Sequence, residues 1–415
     1  MTGGDAWHQL WPCPGWRTVP DTREHGVVHM TAVNRALIAG AGIAGLSAGI
    51  TLARAGIEVS LVELDPDVTV EGTGLTISPV GMRAIRDLGL AEAVLARGAG
   101  YSDLVMGDAS GRELERIPYP ALAGPGLPVA GGILRSELHR LLVDAAEAEG
   151  VAIRFGVGVV GVEQVPDGVL VRLSDGQAVQ AELLVGADGL HSKVRELAFP
   201  DAPRPRYTGQ RVWRVLIERS PKYRGRDHGM WYGPTTKAGI TPLSDRTAYM
   251  FVLENSSDPD RPPREAWPGH LRAQLEGFEG MIGWVRDTQL GDPSRIDCRP
   301  LQAVLLPLPW HRGRVILVGD ALHATTPHMA SGAAMAIEDA IVLADLLAQE
   351  ADLEVALHRF GELRFERCRI VNEGSLQLGE WEQHPDAPDA DPVGLITASM
   401  AVLTQPYRPT PTASL

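Results

Sequence analysis

The chain has 415 residues, is 44% hydrophobic, and sets 38 basic against 52 acidic side chains for a formal net charge of −14. That length supports two lobes with cores of their own, while the acidic balance disfavours nucleic acid or an anionic membrane as partner. No run approaches the ~18 uninterrupted apolar residues of a membrane helix, and Cys13, Cys298 and Cys368 share no metal-ligand spacing, which fits a reducing cytoplasm.

The first thirty residues mix Trp, Pro, Gly and charges with no basic stretch leading into an apolar core, so they do not read as a secretion signal. We expect 1–32 to be a disordered extension and Met30 to be the natural start. Next comes a βαβ unit: Arg35 to Ala39 as a buried strand, Ala44 to Ala55 as a helix, and Ile57 to Glu63 as a second strand. Between them Gly40, Gly42 and Gly45 fit GxGxxG, with Ala44 beside the third glycine. The first glycine permits the tight turn, the second lets backbone approach a pyrophosphate, and the third lets helix pack on strand. Glu63, 18 positions after Gly45, ends the second strand where a carboxylate accepts from ribose hydroxyls. This unit alone does not distinguish NAD from the ADP half of FAD.

Two later segments repeat an apolar strand that stops on glycine and acid: Gly186 to Gly189 (GADG, with Asp188) and Gly319 to Ala321 (GDA, with Asp320). Acids at the C-terminal ends of strands in a doubly wound sheet lie in the ligand crevice. After Pro327 the sequence predicts a helix whose N-terminus, near Ser331 and Gly332, stabilises negative charge on a ring.

These motifs in this order resemble the FAD-dependent aromatic-ring hydroxylases, single-component flavoprotein monooxygenases that include para-hydroxybenzoate, salicylate and urate hydroxylases. The likeness runs from about Val33 to Ser375. It implies an α/β fold, with a Rossmann-like FAD-binding lobe, an inserted, mostly antiparallel substrate sheet, and C-terminal helices. It also implies FAD as cofactor, NADPH or NADH as donor, and oxygen passed from a flavin C4a-hydroperoxide to a small aromatic or heteroaromatic substrate. By the same likeness Gly40, Gly42 and Gly45 bind the pyrophosphate and Glu63 the ribose. Arg135, in RSELHRLL, contacts the flavin side, while Asp188 and Gly189 serve FAD and the nicotinamide. Gly319 and Asp320 hold the ribityl chain, and Pro327 with Gly332 forms the turn beneath the isoalloxazine. Gly72 to Leu90 resembles the family's flavin-edge loop leading into a helix. The family often has Gln where this chain has Ser331, so a side-chain contact is shortened or lost here.

The domain plan that follows is an FAD lobe over 33–200 and 306–350, a substrate lobe over 201–305, a helix over 351–381, and a linker and tail over 382–415. In the substrate lobe four stretches read as consecutive strands of one antiparallel sheet. Trp213, Arg214, Trp231, Tyr232, Lys237 and Tyr249 are its pocket candidates, and alternation puts Trp213 and Arg214 on opposite faces. Lys237 and Tyr249 come first, because they match an Arg and a Tyr of the urate-hydroxylase branch; Arg214 is a candidate carboxylate clamp. His323 and His328 lack a third ligand and are not expected to bind metal. No thioredoxin-like domain follows, which favours a small substrate. Other readings on the same fold are an epoxidase, a reductase, or a non-catalytic flavin sensor. The partners expected are substrate, O2 and NAD(P)H, with a homodimer admitted.

Overall fold

The protein is described by a computed structural model covering residues 31–67, 73–225, 227–233 and 236–408. The expected start at Met30, Cys13 and all but two residues of the expected extension lie outside these. The Ala32 N–H itself bonds to the Leu347 carbonyl at 2.9 Å.

Arg35–Ala39 sits in a six-stranded sheet between Glu58–Glu63 and Leu183–Gly186, with Ala152–Phe155 beyond the first and Val315–Leu317 beyond the second. All of these pair in parallel, and His311–Arg312 adds an antiparallel edge. Parallel strands are covered on both faces, which is why RALIA, LLVG and VIL are apolar runs rather than alternations. The helix Ile43–Arg54 packs against Arg135–Ala148 and Gly332–Gln349. Ala39 pairs with Val62 and Gly186, and Gly186 with Leu317. The three glycine-acid turns therefore leave the same C-terminal edge of the sheet.

The four stretches expected as strands, Arg206–Glu218, Gly229–Tyr232, Lys237–Pro242 and Thr247–Asn255, do share one sheet with Ile296–Ala303, antiparallel throughout this group. The sheet is larger than the sequence indicates. Asp103–Asp108, placed by sequence in the first lobe, pairs in parallel with Gly229–Tyr232, and Glu113–Pro118 forms the edge beyond it. Gly107 makes room for this: a Cβ there would lie 2.5 Å from the Trp231 ring. One face of the sheet, with Trp213, Val215, Trp231, Ile240, Met250 and Val252, packs on the helices Trp267–Gln274 and Gly280–Thr288 in a core of its own. Trp213 and Trp231 are thus core residues on the outer face, not pocket residues.

The helix expected over 351–381 spans Leu353–Gln383, capped by Asp352, whose carboxylate accepts from the N–H groups of Glu354 and Val355. The linker and tail expected over 382–415 need correction. Pro392–Leu403 is a helix whose end is docked, with Arg83 and Arg367 both donating to the Leu403 carbonyl, and among the described residues after it, 404–408, the Tyr407 hydroxyl donates to Asp87 at 2.7 Å. PVGLITASMAVL has no charge pattern that announces this contact, because its anchors are its own C-terminal carbonyls.

Candidate active site

Steric contacts dictate the first turn. Gly40 has φ +105°, and a Cβ there would fall 2.4 Å from the Ala187 carbonyl oxygen; one on Gly45 would fall 1.8 Å from the Gly40 carbonyl oxygen. Gly42 differs, with φ −74° and nothing within 4 Å of a Cβ. Open space over exposed backbone at a helix N-terminus is what a pyrophosphate requires. Gly319 closes in from the third turn, where a Cβ would lie 2.6 Å from that of Ala44, so a small residue is needed at 44 as well.

Glu63 ends its strand at this mouth. Its oxygens accept from the N–H groups of Ala41 at 2.6 Å and Asp65 at 2.9 Å, and the half-exposed carboxylate keeps lone pairs for a further donor. Asp188 is committed locally, accepting from the Ser192 hydroxyl and from the N–H groups of Lys193 at 2.7 Å and Val194 at 2.9 Å. Gly189 follows at φ +78° with open space beside it. Arg195, which the sequence reading passes over, donates to the carbonyls of Leu190 and Ala321 at 2.7 and 2.8 Å and so buckles the second turn to the third.

Asp320 opens the short helix Asp320–His323 and is exposed at the cleft. Crowding by protein still pushes its carboxyl up, with His323 and Arg135 pulling the other way. Behind it, the buried Asp339 accepts from Gly319 N–H at 3.0 Å, from His323 Nε2 at 2.6 Å and from Arg364 Nε at 2.8 Å. Burial opposes charge on His323, but Cys368 and Asp339 outweigh it and hold the imidazole well above its ordinary value. Burial likewise raises the Asp339 carboxyl, yet His323, Arg364 and Gly319 bring it down to about 2. His323, Asp339 and Cys368 lie close enough to be metal ligands, but the Arg364 guanidinium already fills that cluster with positive charge. His328, the other histidine in question, points elsewhere.

Arg135 begins the helix Arg135–Ala148 and makes no ion pair or hydrogen bond among the described residues. Nearby a narrow cleft is lined by Leu75, Thr76 and Ser78 on one side and by Ala330, Ala333 and Ala334 on the other, at the N-terminus of Gly332–Gln349. Pro327 starts the turn before that helix, and Ala330 takes the left-handed conformation at φ +47°. The Ser331 hydroxyl turns back to the Met329 carbonyl at 2.8 Å and does not cap the helix, leaving the first-turn N–H groups at Gly332 to the cleft.

The inner face of the large sheet closes over this cleft. Thr76 bonds to the Tyr249 hydroxyl and lies 3.0 Å from the Thr241 hydroxyl. Register puts Thr241, Tyr249 and Leu216 at one level, Gly239, Phe251 and Arg214 at the next, and Lys237, Leu253 and Val212 at a third. All three sequence candidates, Arg214, Lys237 and Tyr249, therefore share the inner face, and Trp213 lies opposite as alternation required. Their freedom differs. Tyr249 is buried with its hydroxyl bonded to Thr76, and Lys237 is ion-paired with Glu382, a residue the sequence reading did not single out. Among the described residues Arg214 has only Asp297, 3.8 Å away, as an ion-pair partner. Burial and the neighbouring Arg135 bring its guanidinium down to about 10.

A family model described as an FAD-binding domain matches residues 34–352. The chain belongs to the FAD-dependent aromatic hydroxylases. This flavoprotein monooxygenase is 33% identical over 361 residues to the aurachin C monooxygenase/isomerase of Stigmatella aurantiaca, covering 83% of this chain and 90% of that protein. It is 33% identical over 359 residues to 3-hydroxybenzoate 6-hydroxylase 1 of Aquipseudomonas alcaligenes, covering 85% and 90%. Among solved structures, Klebsiella pneumoniae HpxO complexed with FAD and uric acid superposes with a TM-score of 0.75 at 26% identity, covering 89% of this chain and 92% of that one. The monooxygenase's residues fit FAD: an unobstructed Gly42 over a helix N-terminus, an acid at the ribose position, and an Arg135 that has no ion pair among the described residues and acts on the Asp320 carboxyl. Among the described residues no helix is long and apolar enough to cross a membrane.

Proposed function

We propose that this monooxygenase hydroxylates an aromatic or heteroaromatic ring that bears an anionic or readily ionised oxygen, with NADH or NADPH as donor. The supporting observation is Arg214 on the inner face of the sheet, with Asp297 3.8 Å away as its ion-pair partner among the described residues and Arg135 near enough to lower its guanidinium. A half-buried cation without a bidentate partner suits a carboxylate or enolate. The names of the relatives, a hydroxybenzoate hydroxylase and a structure with uric acid, point to the same substrate class.

In this reading Gly40, Gly42, Ala44 and Gly45 cradle the pyrophosphate and Glu63 accepts from ribose. Gly319 and Asp320 hold the ribityl chain, with Arg135 beside it. Asp188 and Gly189 act by shaping the adjoining turn. Bound FAD supplies hydride acceptance and oxygen activation. The protein's part is to exclude water, to offer the N–H groups at Gly332 to developing negative charge, and to orient the ring with Arg214, Phe251 and the Thr76–Tyr249 hydroxyls. The large sheet serves the substrate and the parallel lobe the cofactor. A reducing cytoplasm suits the buried free thiols Cys298 and Cys368. Light scattering tests the homodimer.

The test is NADH and NADPH oxidation by the purified yellow protein against phenolic acids, hydroxypyridines, hydroxyquinolines and purines, with H2O2 measured alongside. Coupled turnover with one class supports the reading; no stimulation by any ring oxygen compound overturns it. Arg214→Gln should raise KM for a carboxylated or enolic substrate at least about tenfold while changing kcat less, the pattern of lost uniform binding. An unchanged KM removes Arg214 from the site.

A further inference from the structure

Glu382 lies at the C-terminal end of the long helix Leu353–Gln383, 145 positions from Lys237 in the chain. One of its oxygens pairs with the Lys237 ammonium on the inner face of the sheet; the other faces His328 Nε2 at 3.3 Å. His328 belongs to the Pro327–Met329 turn that leads into the helix Gly332–Gln349, and its Nδ1 bonds to the Thr326 hydroxyl at 2.8 Å. One carboxylate thus ties the sheet, the turn at the cleft and the C-terminal helix. The Lys237 and Glu382 side chains are 14% and 29% exposed, so this ion pair acts through protein more than through solvent.

Resting on the substrate reading above, we propose that Glu382 is a positioning residue that fixes the Lys237 ammonium and sets the net charge felt by an ionisable ring oxygen in the site. Lys237 stands on the inner face one level beyond Gly239, Phe251 and Arg214, so its counter-ion decides how much positive field reaches a ring held there. The other titratable group against the carboxylate is Tyr232, on the neighbouring strand, which burial and Glu382 push up. Burial raises the Glu382 carboxyl, but His328 and Lys237 bring it down to about 2, so it is ionised wherever a phenol titrates.

Glu382→Gln keeps the shape and removes the negative charge. Two measurements separate the tether from the substrate reading. First, acetic anhydride labelling of Lys237 in the FAD-loaded protein, read by peptide mass, should increase several-fold in E382Q. Second, calorimetry of 4-hydroxy-3-nitrobenzoate binding in two buffers counts protons released against pH. In E382Q the midpoint for ionisation of the bound phenol should fall by about one unit and affinity for the anion rise about tenfold. Lys237→Gln should shift both in the opposite sense, and it serves as the test if E382Q does not fold. A purely structural role would lower thermal stability without moving the ionisation midpoint. Unchanged labelling overturns the tether. A probe that binds with unchanged affinity and midpoint overturns the charge-setting role. If no phenolic ligand binds the wild-type enzyme, the substrate reading fails and takes the charge-setting role with it, while labelling still decides the tether.

Discussion

Gly45→Ala should give a colourless protein, and Gly42→Ala a well-folded one that holds FAD poorly. At Gly45 the added Cβ would sit 1.8 Å from the Gly40 carbonyl oxygen and 3.3 Å from the Ala187 Cβ, so helix and strand must part before anything binds. Such overpacking costs about 1–3 kcal/mol or more, and the first turn loses its shape. At Gly42 the backbone is ordinary and a Cβ meets nothing, so the apoprotein should melt within about 1 °C of wild type. The methyl would nonetheless occupy the space where pyrophosphate must meet backbone. A loss of at least about tenfold in FAD affinity, some 1.4 kcal/mol, is expected. Fluorescence titration of apoprotein with FAD, beside thermal melts of both variants, separates the two effects. Unchanged affinity in Gly42→Ala would remove the pyrophosphate from this turn.

That contrast also shows how much a linear reading reaches. The glycine turns, the apolar runs RALIA, LLVG and VIL, and Glu63 are local signals: each motif lies within a few residues of the strand or helix it serves. The two arginines were within reach for different reasons, Arg135 through a family pattern and Arg214 through strand alternation. The long-range ties left no periodic trace. Nothing near Asp103–Asp108 says which sheet it joins, and nothing near Lys237 says that Glu382 neutralises it.

One signal was present and unused. The helix GAAMAIEDAIVLADLLAQ is apolar on nearly every side, so it must be buried, and buried acids require cations. Glu338 and Asp339 are fully buried, and the cations stand in LRFERCRI: Arg364 bonds to both acids, and Arg367 to Glu338. Arg83 completes the set, and with Arg367 it also holds the Leu403 carbonyl. The charge cluster behind the Asp320 turn is therefore continuous with the docking of the last helix.

Asp339→Asn should destabilise the protein by about 3–5 kcal/mol, since it leaves the buried His323 facing a neutral amide and Arg364 paired with Glu338 alone among the described acids. Melting should fall by roughly 5 °C or more. The size of the effect should depend on pH in a defined direction. In the wild type the Asp339 carboxyl is held at about 2, so its contribution is complete above the ordinary carboxylate range of about 4 and fades as pH falls towards 2. His323 is held well above its ordinary value, so its contribution is complete below about 6.5 and fades as pH rises through the folded value. Without Asp339 the imidazole keeps only Cys368 against burial, so its folded value drops and the variant lacks the stability that the wild type draws from a charged His323 below about 6.5. The gap between the two proteins should therefore narrow as pH falls from about 4 towards 2 and as it rises past about 6.5. Urea unfolding of both proteins across that range measures it. A gap that stays constant above pH 6.5 would mean that His323 is not charged in the fold, and Asp339 would then hold the Asp320 turn through Arg364 and the Gly319 N–H alone.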